Sequence, residues 1–206
     1  MGLYDRYLLP PLLSAAMSAK PITYQRRKVV PRAAGRVLEI GFGAGHNLPF
    51  YDATKVTHLW ALEPSREMRA RAAPRVAASP LEIEFLDLPG EAIPLDADAA
   101  NMVLVTYTLC TIPNVMMALG EMRRVLKPEG RMIFCEHGEA PDANVRRWQE
   151  RLTPAWKAIG GGCHLGRPIP CLIRDAGFRV DELETMYLPG TPRFAGFNYW
   201  GMAAKA

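Results

Sequence analysis

No apolar run in this 206-residue chain approaches the ~20 residues that a bilayer-crossing helix needs, so stable membrane insertion is not expected. The first residues lack the basic start and apolar core of a secretory signal, which makes the cytoplasm the expected location. The basic residues are scattered, the net charge is only +4, and no basic stripe of the kind that tracks a phosphate backbone is present. No nucleic-acid partner is therefore expected. The four cysteines, Cys110, Cys135, Cys163 and Cys171, include no C-x-x-C pair and no neighbouring paired histidines. That spacing argues for buried free thiols, with no structural metal and no disulfide framework. Internal repeats and low-complexity tracts are also absent.

What remains is an ordinary globular composition, 49% hydrophobic and 22% charged, with enough apolar residues for one core. A single domain over residues 1–206 is expected. Leu3, Tyr4, Tyr7, Leu8, Leu9, Leu12, Leu13 and Met17 recur at roughly helical spacing around Pro10-Pro11. They predict one or two amphipathic helices packed on the domain, with a lid or a peripheral membrane contact as alternatives; the basic polar face of a surface-seeking helix is missing. Residues 22–30 read as a helix that completes an N-terminal lid segment, 1–30. Strands are expected over Val56–Leu62, Leu81–Leu86, Asn101–Thr106 and Arg131–Cys135. Helices are expected over Arg66–Ala73 and Val115–Leu126. Regular alternation of the two predicts a doubly wound α/β sheet. The tail changes character: a helix over Ala143–Ile159, a flexible Gly160-Gly161-Gly162 stretch, and a short helix over Pro170–Ala176. Residues 143–177 thus form a helical segment on the substrate side, followed by closing strands over Phe178–Met186 and Asn198–Ala204.

The stretch from Arg36 to Leu48 organises the rest. Val37, Leu38 and Ile40, with Glu39 among them, make a buried strand that runs into Gly41-Phe42-Gly43-Ala44-Gly45. Glycine is required where φ turns positive and where backbone must approach a ligand. A helix beginning near Ala44 to Asn47 would aim its free N–H groups at a bound nucleotide. The dinucleotide fingerprint needs a third glycine where His46 stands, and no phosphate-binding lysine follows the loop. Glu63, directly after the next strand and about 20 residues on, occupies the place of a ribose-binding carboxylate.

Residues 37–45 resemble motif I of the class I S-adenosylmethionine-dependent methyltransferases, and Glu63 matches their ribose acid. Glu91-Ala92-Ile93-Pro94-Leu95, residues 124–131 and Ala176-Gly177-Phe178 match later landmarks in the right order. The resemblance, spanning about residues 22–204, implies a Rossmann-like seven-stranded sheet, mostly parallel with an antiparallel last strand. It implies S-adenosylmethionine as cofactor and S-adenosylhomocysteine as product. The cofactor contacts it implies are Glu39, Gly41, Phe42, Gly43, Gly45, Asn47, Glu63, Pro64 and Glu91. Many relatives carry Asp-Ala where this chain has Pro89 and Gly90, so adenine recognition shifts to the Gly90 backbone, to Leu88 and to Asp87. A narrower likeness to the alkyl thiol methyltransferase group lies in residues 47–51, 135–137, 153–156 and 161–165.

Methyl transfer from a sulfonium needs mainly alignment and exclusion of water, plus a base when the nucleophile is protonated. Thr106 and Tyr107, at the carboxyl edge of the fourth strand, are expected against the cofactor, Tyr107 offering a ring face or hydroxyl near the sulfonium, with a packing role alone as the alternative. Tyr24 is expected to close over the methionine moiety, with Arg27 a weaker candidate for its carboxylate. His137 is the candidate base, against a purely structural histidine, and His164 a candidate at the substrate mouth. The expected activity is methylation of a small, partly apolar acceptor: a thiol, a quinone-like carbon or a lipid amine. A cofactor-binding module without catalysis and a nicotinamide dehydrogenase are the alternatives.

Overall fold

Val37, Leu38 and Ile40 are buried on both faces of their strand, and so are Val103, Leu104 and Val105 of another. Two such strands can only lie at the centre of a sheet covered on both sides. The computed structural model describes residues 4–206, apart from the side chains of residues 5 and 6; Leu3 lies outside the described residues. Its strands are β1 (Gly35–Ile40), β2 (Val56–Leu62), β3 (Ile83–Leu86), β4 (Ala100–Thr106), β5 (Leu126–His137), β6 (Phe178–Tyr187) and β7 (Phe197–Lys205). They form one seven-stranded sheet in the order β3-β2-β1-β4-β5-β7-β6. β7 runs antiparallel to both of its neighbours, and the pairings among β1 to β5 are parallel. The Rossmann-like doubly wound architecture expected from the sequence is the one observed.

The helices are α1 (Leu9–Met17), α2 (Lys20–Val29), α3 (Arg66–Ala77), α4 (Val115–Val125), α5 (Ala143–Ile159), α6 (Ile169–Asp175) and a single turn α7 (Arg193–Gly196). One face of the sheet packs Leu38, Val103 and Phe134 against Leu119 and Met122 of α4 and Ile173 of α6. The other packs Val37, Leu59 and Ile133 against Val29 of α2 and Ala72 of α3. Among the described residues, no helix is long and apolar enough to cross a membrane.

Several boundaries differ from the sequence reading. Pro10 and Pro11 start α1 instead of interrupting it, since the first helical turn has no use for their missing N–H groups. β5 begins at Leu126, because Leu126 already pairs with Ala100 across an irregularity in the ladder. The larger correction falls after the glycine loop. No α-helix starts at Ala44 to Asn47; residues 43–47 are turns, followed by one 3₁₀ turn, Leu48–Phe50. Gly41, Gly43 and Gly45 all take positive φ, at 69°, 59° and 74°. Three left-handed residues in five break any helix before it nucleates, and Pro49 prevents recovery.

The chain reverses between β1 and β4, with β2 and β3 on one side and β5 to β7 on the other. The crevice beyond the carboxyl ends of β1 and β4 is where ligands enter such sheets.

Candidate active site

That crevice is a cavity of about 560 Å³, within the size range of small-ligand sites. At one end, β1 turns out of the sheet at Gly41, whose N–H and that of Phe42 both donate to the Leu62 carbonyl, at 3.0 and 3.1 Å. A Cβ on Gly41 would collide with the Thr108 side chain, so the loop passes β4 at a distance only glycine allows. Glu63 is buried, and its carboxylate accepts the Gly43 N–H at 2.8 Å and the Ser65 N–H at 2.9 Å. Burial raises its pKa and these two bonds oppose the rise. Each oxygen keeps a further lone pair for a ligand hydroxyl. Ser65 caps α3 by accepting the Met68 N–H at 3.2 Å.

The floor is a buried polar network. Asn47 donates to Glu39 Oε1 at 2.9 Å and to Thr106 Oγ1 at 3.0 Å, and accepts from Arg26 Nε at 2.8 Å. The Tyr51 hydroxyl donates to Glu39 Oε2 at 2.6 Å. Burial pushes the Glu39 carboxyl up to about 7 against those bonds and the Arg26 charge. Arg26 also donates to the Met17 carbonyl at 2.6 Å and lies 5.4 Å from the Tyr107 ring centre. Leu9, Pro10, Leu13 and Met17 of the N-terminal segment face the cavity, and Ser14 of α1 meets His46 Nε2 at 3.1 Å. Burial, then Arg26 and Arg75, lower His46 to about 4.

The far end combines three loops. Tyr107 holds a positive φ of 55°, a strained state for a bulky residue and a frequent companion of functional sites. Its hydroxyl donates to Asn198 Oδ1 at 2.7 Å, so only its ring faces the cavity. Glu136, fully buried, accepts the Thr108 and Leu109 N–H groups at 2.7 and 3.1 Å and so fixes the loop that carries Cys110. Cys163 Sγ lies 3.2 Å from His137 Nε2. Cys110, His137 and Cys163 place one ligand atom each within 4.8 Å of the other two. The hydrogen bond from Cys110, and then the His137 contact, hold the Cys163 thiol well below its ordinary value against burial. Cys110 is raised in turn. Burial alone would lower His137; Cys163 and Glu136 outweigh it and leave the imidazole above its usual value. His137 Nδ1 and Glu136 Oε2 are buried here without a hydrogen-bond partner among the described residues.

The cavity thus brings together Glu39, Gly41, Phe42, Gly43, Asn47, Glu63, Pro64, Pro89, Gly90, Glu91, Thr106, Tyr107 and His137. Other expected positions lie elsewhere. Tyr24 is 60% exposed and off the cavity, with Lys28 Nζ 5.0 Å from its ring, and Arg27 is exposed as well. The register of α2 turns Arg26 inward instead, one helical position that a mostly polar segment did not disclose. Leu88 is 41% exposed and does not line the cavity, and Asp87 is held by Arg69 at 2.8 Å. Gly45 is buried behind the loop against Phe42. Cys163 lines the cavity, where His164 was expected. The Cys110–His137–Cys163 group escaped the spacing argument because its members come from three segments joined only by the fold.

Residues 38–134 match the family described as "Methyltransferase domain". The chain is 34% identical over 170 residues to thiol S-methyltransferase TMT1B of Rattus norvegicus, covering 78% of this chain and 68% of that protein. It is 32% identical over 191 residues to thiol S-methyltransferase TMT1B of Homo sapiens, covering 87% and 77%. In fold it is similar to an S-adenosylmethionine-dependent methyltransferase from Thermotoga maritima, with a TM-score of 0.70 and 19% identity over 99% of this chain and 100% of the other.

Proposed function

We propose that this chain, which belongs to the class I S-adenosylmethionine-dependent methyltransferases, delivers the methyl group to the sulfur of a small apolar thiol. Membership of that family sets aside the nicotinamide alternative. The observation that carries the acceptor reading is the far end of the cavity, where soft sulfur donors and one imidazole meet apolar walls from Leu9 and Leu13. The two relatives named as thiol S-methyltransferases agree with it.

In this reading the Glu63 carboxylate receives the ribose hydroxyls, and the glycine loop admits the cofactor backbone to backbone. Pro89 and Gly90 bound the adenine, with Glu91 holding their loop to α4 through the Asn114 N–H at 3.1 Å. Thr106, Asn47 and Glu39 take the amino end of the methionine moiety and Arg26 its carboxylate, the role first given to Arg27. The Tyr107 ring faces the sulfonium. The cofactor supplies a methyl group that is already activated, so the protein's remaining tasks are alignment and dryness. The N-terminal segment serves the second as a lid, pinned by the Ser14–His46 contact. A free alkyl thiol is mostly protonated near neutral pH, and His137 is the residue that brings its sulfur to the reactive thiolate form. Four free cysteines suit a reducing, cytoplasmic setting.

His137→Ala tests the assignment. The rate on small thiols should fall at least about 100-fold while calorimetric affinity for S-adenosylmethionine stays within a factor of about two. An unchanged rate would remove His137 from the chemistry.

A further inference from the structure

Cys110 follows β4, His137 ends β5 and Cys163 follows the triple glycine after α5, yet their ligand atoms lie within 4.8 Å of one another. The arrangement is built into backbone. The His164 N–H donates to the Cys110 carbonyl at 2.9 Å, tying the two cysteine loops together. Arg167 donates to the carbonyls of Leu109 and Ile112 and so clamps the Cys110 loop from both sides. Positive φ at Gly161 and Gly162, 61° and 85°, lets the chain turn Cys163 inward. All three side chains line the cavity.

We propose that Cys110, His137 and Cys163 form a zinc site whose fourth position, facing the cavity, binds the acceptor thiol. This inference rests on the thiol-methyltransferase reading and states how His137 serves it. Two cysteines and one histidine with one position left open is a donor set of catalytic zinc sites. Ligand atoms on a tetrahedral zinc stand about 3.5–3.8 Å apart. The observed cluster therefore needs only sub-ångström to ångström adjustments, and Cys163 to His137, at 3.2 Å, is already at contact range. Two thiolates balance the charge of the ion, which suits a site with little water. Zinc prefers sulfur to a quinone carbon or an ammonium group, which narrows the acceptor to thiols.

In the transfer, the acceptor thiol gives its proton to solvent on binding the metal. Its sulfur lone pair then forms the new bond to the methyl carbon. The electron pair of the broken sulfur–methyl bond remains with the departing thioether. No oxidant or further reactant is needed.

The test uses the full reduced chain, stripped with a chelator and titrated anaerobically with Co²⁺ as a spectroscopic substitute for zinc. One Co²⁺ per chain is expected, with thiolate-to-cobalt absorption in the near ultraviolet and tetrahedral ligand-field bands that shift when ethanethiol is added. Cys110→Ser and Cys163→Ser should each weaken binding at least tenfold, whereas Cys171→Ser, at an exposed thiol away from the cluster, should not. Should the serine variants fail to fold, alkylation of the unmodified chain gives the same answer. Zinc should slow the labelling of the buried Cys110 and Cys163, in peptide mass spectra, relative to the metal-free chain under the same conditions and leave the rate at exposed Cys171 unchanged. Absence of cobalt bands, or bands indifferent to ethanethiol, would overturn the site. Thiol methylation at full rate by the metal-free chain would also overturn it while leaving the proposed function standing. Cobalt bands without any thiol methylation would instead sink the proposed function.

Discussion

Replacing Glu39 by Gln should relieve the folded chain of a weakness that grows with pH. Glu39 is 1% exposed, and its carboxylate accepts from Tyr51 at 2.6 Å and Asn47 at 2.9 Å. Burial nevertheless outweighs those bonds and the Arg26 charge, raising the carboxyl from 4.5 to about 7. The folded state therefore binds this proton more tightly than the unfolded one. Its stabilising share is complete below pH 4.5 and is lost as pH climbs through 7. That rise converts to about 3 kcal/mol. Glutamine keeps the shape and one accepting oxygen, and the Tyr51 hydroxyl can turn to accept from the new amide. Glu136, raised by burial to about 7, acts in the same sense, and His46, lowered by burial to about 4, acts in the opposite one. Both are common to the two proteins and cancel in their difference. Urea unfolding of both chains, from about pH 5 to about pH 8, is the assay. The variant should gain roughly 2 to 3 kcal/mol on the parent across that range, the first part of the loss falling below pH 5. A difference that does not change with pH would refute the reasoning.

Glu63→Ala should weaken S-adenosylmethionine and S-adenosylhomocysteine equally, by about 3 kcal/mol or roughly 100-fold in calorimetry, because the ribose is common to both. Equal affinity in variant and parent would remove the ribose role. Gly41→Ala should destabilise by about 1–2 kcal/mol in urea unfolding, from left-handed strain alone. Its Cβ would also press on Thr108, whose N–H is fixed by Glu136. An alanine variant as stable as the parent would mean that the loop does not pass β4 as described.

The sheet was legible because its strands announce themselves. Asn101–Thr106 is nearly all apolar and ends at the crevice, and Glu63 stands where β2 leaves the sheet. The helix expected at Ala44 to Asn47 failed because its length was inferred from the usual sequel of such a loop, whereas three left-handed glycines and Pro49 leave room for one 3₁₀ turn. The sequence singles out Tyr24 and Arg27 and passes over Arg26 because α2 carries Tyr24, Gln25, Arg26, Arg27 and Lys28 in succession. Such a polar run does not say which side is inward until Val29 and Asn47 fix it. The Cys110–His137–Cys163 group is a product of tertiary structure, with no local spacing that could have shown it.

The atom that receives the methyl group is the most direct test of the proposed function. The purified chain should be offered isotopically labelled S-adenosylmethionine with ethanethiol, a quinol and a lipid amine in parallel, and the products separated by mass spectrometry. A labelled methyl thioether formed from ethanethiol in step with S-adenosylhomocysteine, at a rate far above the other two, is the expected result. Label found only on the quinol or the amine, with ethanethiol untouched, would contradict the account.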